Sequence, residues 1–428
     1  MNMKKMLLCF AGSFAFAACV SAADPVISGV SVCQRWPWEA KVDIDYVLSG
    51  TNCDIVVKAR YDGVEEFELN PAHMTGDLFD VKPGAGHVTW DPVAAGLGDR
   101  TLPNFTVSVE PLADAASRTY LILDLQDGSY EYASSAPAEG WANAGGSKYR
   151  TTKMVFRRIP RGKFYMGYPK GIRDYLDGFV GGGKFKLSRY LQHEVTLSSD
   201  YYMALFLTSQ AQYCCITGAV GTAAYNPNMT SPGQYKSASY HAIRGEGTTW
   251  PNGDRYAVKP DSIVEKLRRN TDGKLPKGWK IDLPTSAQWE RACKATMPTN
   301  WIYYVESTVE DDAVSLTNIV DSVASCKISP TTQGTTMAKR QPNQWGLYDM
   351  LGLQQEFVLD YEWNSPDGDS YGPMTDPVGP TSGSKRVLKG GNTDSWAFYS
   401  VTPVVMTPYA ETTGWASFRL CIHINPIK

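Results

Sequence analysis

Pro342-Asn343-Gln344-Trp345-Gly346-Leu347-Tyr348-Asp349-Met350 reads as a turn that carries apolar anchors, with Trp345, Leu347 and Tyr348 set around a flexible Gly346. Side chains of that size bury large areas and fasten a loop to a core. Outward toward the N-terminus, Leu283-Pro284-Thr285-Ser286-Ala287-Gln288-Trp289-Glu290-Arg291-Ala292 holds a helix start. The Thr285 hydroxyl caps a predicted helix over Ser286 to Ala295, and Gln288 stands where a capping box needs it. Trp289 and Ala292, three residues apart, share the buried face of that helix. Outward toward the C-terminus, Arg386-Val387-Leu388-Lys389-Gly390-Gly391 ends in a double glycine, which suits a bend where Cβ atoms would clash. Phe418-Arg419-Leu420 follows near the end. Earlier in the chain stand Phe164-Tyr165-Met166-Gly167, His193-Glu194-Val195-Thr196-Leu197 and Tyr201-Tyr202-Met203.

In this order the phrases resemble those of the formylglycine-generating enzyme (sulfatase-modifying factor) family. Leu283–Ala292 is similar to its LPTEAEWEYA helix and Pro342–Met350 to its NPWGLYDM phrase. The resemblance covers residues 151–424. It implies an α+β fold of elaborated C-type-lectin-like architecture, a small mixed sheet with two flanking helices and long loops. It also implies a chemistry. In active members two cysteines just after the RVxxGG strand bind copper(I) and drive oxygen-dependent oxidation of a substrate cysteine. Here Ser395 and Ser400 occupy those two positions, and no cysteine lies between Cys326 and Cys421. Soft thiolates favour copper(I), whereas a neutral hydroxyl is a poor ligand. Copper and formylglycine generation are therefore not expected, and no catalytic residue is assigned. A nucleophilic role for either serine needs a base, yet no histidine lies between His241 and His423, so both read as loop serines.

Two further metal readings follow from the resemblance. One branch of the family uses histidine-ligated iron, but the five histidines here (His73, His87, His193, His241, His423) form no His/His/carboxylate cluster in sequence, and His193 reads as structural. Family calcium sites pair an Asn with a neighbouring carbonyl and a second Asn with a Glu. Asn318-Ile319 resembles the first pair and Glu356 the second carboxylate, while Leu353 and Gln354 stand where the second Asn belongs. Calcium takes roughly six to eight oxygens, so a lost ligand weakens a site. A structural calcium at Asn318 is the remaining metal expectation.

At 428 residues the chain has room for two or three units of roughly 100–200 residues each. A formal net charge of −3 gives no basic excess for nucleic acid or an anionic membrane. Lys4 and Lys5 precede an apolar run from Met6 to Val20 and the small residues Ser21, Ala22 and Ala23, the order of a bacterial-type secretory signal over 1–22. Cleavage before Ala23 or before Asp24 fits equally. A lipoprotein signal ending at Cys19 is the rival, and Phe16 suits it poorly, so soluble secreted or periplasmic export is preferred. No later stretch approaches the ~20 apolar residues of a spanning helix. Removal of Cys9 and Cys19 leaves seven cysteines from nine, an odd number in an oxidising compartment. Cys33 and Cys53 are the candidate pair, on neighbouring predicted strands.

Residues 23–112 read as a small antiparallel β-sandwich, immunoglobulin-like in its spacing of strands and turns. Val42, Ile44, Tyr46 and Leu48 alternate with polar residues, Asp54–Lys58 forms a second strand and Phe105–Val109 a third. From 113 to 150 a short apolar strand over Tyr120–Leu125 precedes a Ser/Ala/Gly/Pro-rich stretch, and this segment is expected as a linker. Helices are predicted at Thr208–Thr217 and Pro260–Arg269 in addition to the one after Thr285. Gly178-Phe179-Val180-Gly181-Gly182-Gly183-Lys184 matches a phosphate-loop spacing. However, Phe185 replaces the magnesium-binding hydroxyl, and the segment is expected as a loop with no helix after it.

The leading functional reading is a non-catalytic module that binds an unknown protein or carbohydrate. Asn392–Trp415 holds Trp396, Phe398, Tyr399, Tyr409 and Trp415 and neither Arg nor Lys. In the family's fold this region lines the ligand-facing surface. Aromatic anchors lose little conformational entropy on contact. The rival is a formylglycine-generating or related oxidase acting on protein cysteine through Cys293, Cys326 or Cys421, and a third reading is a self-assembling envelope protein.

Overall fold

The computed structural model describes residues 24–35, 37–98, 100–112, 118–142, 148–180, 191–218, 234–245, 254–308, 310–311, 313–326, 336–362, 372–393, 407–412 and 414–424. The first lobe is a sandwich of two antiparallel sheets. One orders Val26–Gln34, Val42–Ser49, Gly84–Trp90 and Met74–Gly76, and the other Val64–Glu68, Asp54–Tyr61 and Thr106–Leu112. The predicted alternation holds: Val42, Ile44, Tyr46 and Leu48 are buried, and Trp90 stacks on Phe105 at 5.5 Å. The expected Cys33–Cys53 pair does not form. Cys33 lies on the exposed outer strand of one sheet, while Cys53 is buried against Val81 at the start of a strand in the other, and both thiols are free.

The second lobe is built on a six-stranded sheet ordered Lys280–Asp282, Cys421–His423, Tyr201–Ala204, Lys153–Ile159, Tyr120–Asp124 and Tyr130–Ala133. Both its faces are buried. Val155, Ile159, Tyr201 and Met203 enter one apolar cluster, and Met154, Phe156, Tyr202 and Ala204 enter another. The segment 113–150 is therefore not a linker throughout. Tyr120–Asp124 pairs with Lys153–Ile159, and Tyr130–Ala133 closes the sheet edge. The physical reason is two-sided apolarity: Leu121 and Leu123 face one cluster and Ile122 the other.

Helices flank this sheet. Ser286–Lys294 starts at Thr285 with both capping-box hydrogen bonds made, and Trp289 and Ala292 are fully buried. Gln210–Thr217 is capped by Ser209 with Gln212, and Ile263–Asn270 by Ser262. Lys170–Val180, Tyr240–Arg244 and Ala313–Val323 are helices that the sequence reading did not foresee. The phosphate-loop look-alike thus begins inside a helix, because Gly178–Val180 form its last turn. Three smaller sheets are also described in the lobe: Gly162–Met166/His193–Leu197/Met374–Thr375, Thr407–Tyr409/Arg386–Lys389/Glu356–Tyr361/Ser417–Phe418, and the parallel pair Ala324–Ser325/Leu351–Gly352. Among the described residues no helix is long and apolar enough to cross a membrane.

A buried charge seam fastens the lobes. Arg158 of the second lobe grips Asp54 of the sandwich with both terminal nitrogens, at 2.8 and 2.9 Å, and its Nε reaches Asp200 at 2.6 Å. Arg161 meets Asp80 at 2.7 Å. Burial, with Asp200 alongside, pushes the Asp80 carboxyl up to about 8. Asp54 is 1% exposed, and beyond Arg158 it keeps only a longer contact to Arg118 at 3.7 Å and the Asp80 N–H at 2.8 Å among the described residues, so removing Arg158 leaves a desolvated carboxylate under-paired. Arg158→Ala is expected to cost about 3–5 kcal/mol in urea unfolding. A loss under about 1 kcal/mol, the range of a surface pair, would contradict a buried seam.

Candidate ligand-binding face

The quoted phrases converge on two buried carboxylates. Glu356 accepts the Trp289 indole N–H at 2.8 Å and takes the Arg419 guanidinium through both oxygens, at 2.9 and 3.1 Å. Arg419 spends its remaining donors on the carbonyls of Ala204, Leu205 and Tyr348, at 2.7–2.9 Å. Glu290 accepts the Gly167 N–H at 2.7 Å and pairs with Lys294 at 2.8 Å and Lys389 at 3.1 Å. Asn343 accepts the N–H groups of Trp345 and Leu347, both at 3.1 Å, and donates to the carbonyls of Ala292 and Cys293 at 2.7 and 3.0 Å. It thereby pins Pro342–Met350 to the end of the Thr285-capped helix.

This frame sets the start of the aromatic segment. Gly390 and Gly391 have φ of 89° and 74°. A Cβ on Gly390 would stand 3.0 Å from the Met350 carbonyl and 3.3 Å from the Trp289 ring. Only glycine fits both the left-handed backbone and the close approach. The chain then leaves through Asn392 and Thr393 and returns as Thr407–Tyr409, which pairs antiparallel with Arg386–Lys389. At the returning end Glu411 accepts from Arg386 Nε at 2.8 Å and pairs with His241 Nε2 at 3.1 Å. Arg386 is fully buried, with its guanidinium carbon 3.4 Å from the Tyr361 ring centroid and 4.3 Å from that of Tyr240.

Of the sequence-predicted site residues, Ser395, Trp396, Phe398, Tyr399 and Ser400 lie outside the described residues, as does the side chain of Tyr409. Trp415 is 40% exposed, at the end of the segment. Sequence reasoning missed the Arg386–Glu411–His241 anchor. Its one visible signal was the arginine that opens the RVLKGG phrase.

The resemblance offered Glu356 as a calcium ligand, and the structure gives it a different place. It is 1% exposed and enclosed by Arg419 and Trp289, which already supply its counter-charge and donors. Asn318 is exposed on the helix Ala313–Val323, and the Ile319 carbonyl accepts the Ser322 hydroxyl at 2.7 Å. Among the described residues no group of three or more His, Cys, Asp or Glu side chains is placed to hold a metal ion. Cys293, Cys326 and Cys421 are buried, and desolvation pushes the thiols of Cys293 and Cys421 far above their usual range.

Burial raises the cost of charging Glu290, but Lys294 and Lys389 outweigh it and hold the carboxyl down at about 2. A carboxylate with a depressed folded pKa contributes stability above its unfolded value, about 4.5 here, and loses it as pH falls toward 2. Unfolding free energy is expected to drop over that window, with a shallower drop in Glu290→Gln than in the parent. Equal slopes would contradict the pairing.

The family model for the sulfatase-modifying factor enzyme 1-like domain matches residues 142–420. Among solved structures, variable protein 1 of Treponema denticola is 16% identical with a TM-score of 0.45, over 63% of this chain and 95% of that one. The crystal structure of CarF is 17% identical with a TM-score of 0.34, over 62% of this chain and 96% of that one. No curated protein matches the chain. With some two-thirds of its length matched and the family's phrases meeting at one buried frame, the chain belongs to the sulfatase-modifying factor enzyme 1-like (formylglycine-generating enzyme) family.

Proposed function

We propose that this chain is an exported, non-catalytic recognition protein that holds a protein or carbohydrate ligand on the aromatic segment Asn392–Trp415. The carrying observation is chemical: the positions that follow RVLKGG offer Ser395 and Ser400, with no cysteine between Cys326 and Cys421. A cuprous centre does not fit that donor set, since neutral hydroxyls are hard, weak ligands for a soft ion. The thiols flanking this gap in sequence are core residues at 0% exposure, which argues against their serving as oxidising groups.

Recognition suits what surrounds the segment. Gly390 is pressed against Trp289 just before it, and Glu411 near its end is held by Arg386 and His241, so the described flanks of this aromatic-rich segment are anchored. Such preorganisation reduces the ordering cost of binding. Trp415 adds an exposed indole, the side-chain type most enriched at contact hot spots. The sandwich then serves as a spacer or second adhesion unit, carried rigidly by the Asp54–Arg158 seam.

The test has two arms. Trp396→Ala with Tyr399→Ala, and separately Trp415→Ala, are expected to lower retention on a glycan or surface-protein array by about tenfold or more. The parent chain, given copper(I), oxygen and a Cys-x-Pro-x-Arg peptide, is expected to yield no aldehyde mass change. Unchanged retention removes this face from the account, and clear peptide turnover restores the oxidase reading.

A further inference from the structure

Between the two lobes lies a cavity of about 470 Å³, whose walls are His73 and Ala94 of the sandwich and the connection from the helix Ile263–Asn270 to the strand Lys280–Asp282. The Lys277 amide donates to the Pro71 carbonyl at 3.4 Å, and the Trp279 ring meets Phe79 edge-on at 4.8 Å, so contacts from both lobes frame the cavity. Clefts of this size at domain boundaries are frequent small-molecule sites.

The lining is cationic in a chain whose net charge is −3. Arg268 is committed: its three nitrogens donate to the Ile281 and Tyr256 carbonyls and to Asp282. Lys277 and Lys280 are not, for both are exposed and neither has a carboxylate partner among the described residues. Asp272 is the one acidic residue of the lining. Gly273 and Gly278, which also line the cavity, have positive φ of 67° and 93° and open space where a Cβ would stand. Their main chain is therefore approachable by a ligand, and unhindered backbone N–H groups beside cations are a common anion-holding arrangement.

We propose that this interlobe cleft binds a compact polyanion, a polyol bearing sulfate or phosphate esters, through Lys277, Lys280 and His73. The site is separate from the aromatic face and does not rest on that reading.

Calorimetric titration of the whole chain with sucrose octasulfate and with inositol hexakisphosphate tests it. At low ionic strength at least one of the two is expected to bind, more weakly as salt rises, because exposed charges are screened beyond about 10 Å at 0.1 M. Lys277→Glu with Lys280→Glu is expected to weaken binding at least about tenfold, the effect of roughly 1.4 kcal/mol. Lys82→Glu with Lys385→Glu, an equal charge change on exposed residues elsewhere, is expected to keep the parent affinity. The tighter of the two probes names the source, sulfated or phosphorylated. Binding of neither, or an equal loss in both double variants, overturns the site. Trp415→Ala is expected to leave polyanion affinity unchanged, so failure here and failure of the aromatic face are read apart.

Discussion

Arg419 and Glu356 form an ion pair sealed from water, and the fold of the second lobe is arranged around keeping it whole. Each charge carries a large desolvation cost, repaid only when every donor and acceptor finds a partner. Glu356 meets Arg419 twice and the Trp289 indole once, and Arg419 spreads its other donors over carbonyls from two separate parts of the chain. Four sequence phrases that lie far apart are thereby obliged to meet: the Thr285-capped helix, the Leu347–Tyr348 turn, the Glu356 strand and Phe418-Arg419-Leu420. Glu290 with Lys294 and Lys389 repeats the device one helical residue away and ties in Gly167 and the RVLKGG strand.

That arrangement explains which parts were legible in sequence. The capping box at Thr285 and the alternation of Val42, Ile44, Tyr46 and Leu48 are local patterns, and local patterns survive folding unchanged. The helix Lys170–Val180 was hidden by Gly171 and Gly178, which lower helix propensity. Ala313–Val323 was hidden behind a family reading of Asn318 as a calcium ligand. The strand Tyr130–Ala133 sits between turn residues and a Ser/Ala/Gly/Pro-rich stretch, and only its pairing with Tyr120–Asp124 reveals it. Of the site, the double glycine that ends Arg386-Val387-Leu388-Lys389-Gly390-Gly391 was legible as a bend, whereas Ser395, Trp396, Phe398, Tyr399 and Ser400 lie outside the described residues. The anchor could not be read, because Glu411 meets Arg386 across 25 residues of sequence and His241 across 170.

The buried ion pairs also separate scaffold from chemistry. They depend on carboxylates, guanidinium and ammonium groups and an indole, so the frame built by the family's phrases does not itself call on thiolates. The described scaffold also anchors both sides of the aromatic-rich segment: a glycine pressed on Trp289 before it and a carboxylate on Arg386 towards its end. The proposed recognition role draws on these anchors, since a fold by itself does not fix a function.

The serines that follow RVLKGG offer a cuprous ion no soft donor, an expectation that copper(I) affinity checks. With the exposed Cys33 thiol alkylated, the purified chain should be titrated with cuprous ion against a competing chromogenic chelator. The ion is expected to remain with the chelator throughout. One equivalent withdrawn tightly by the protein would mean that thiols do converge near the loop, and the recognition account would fall.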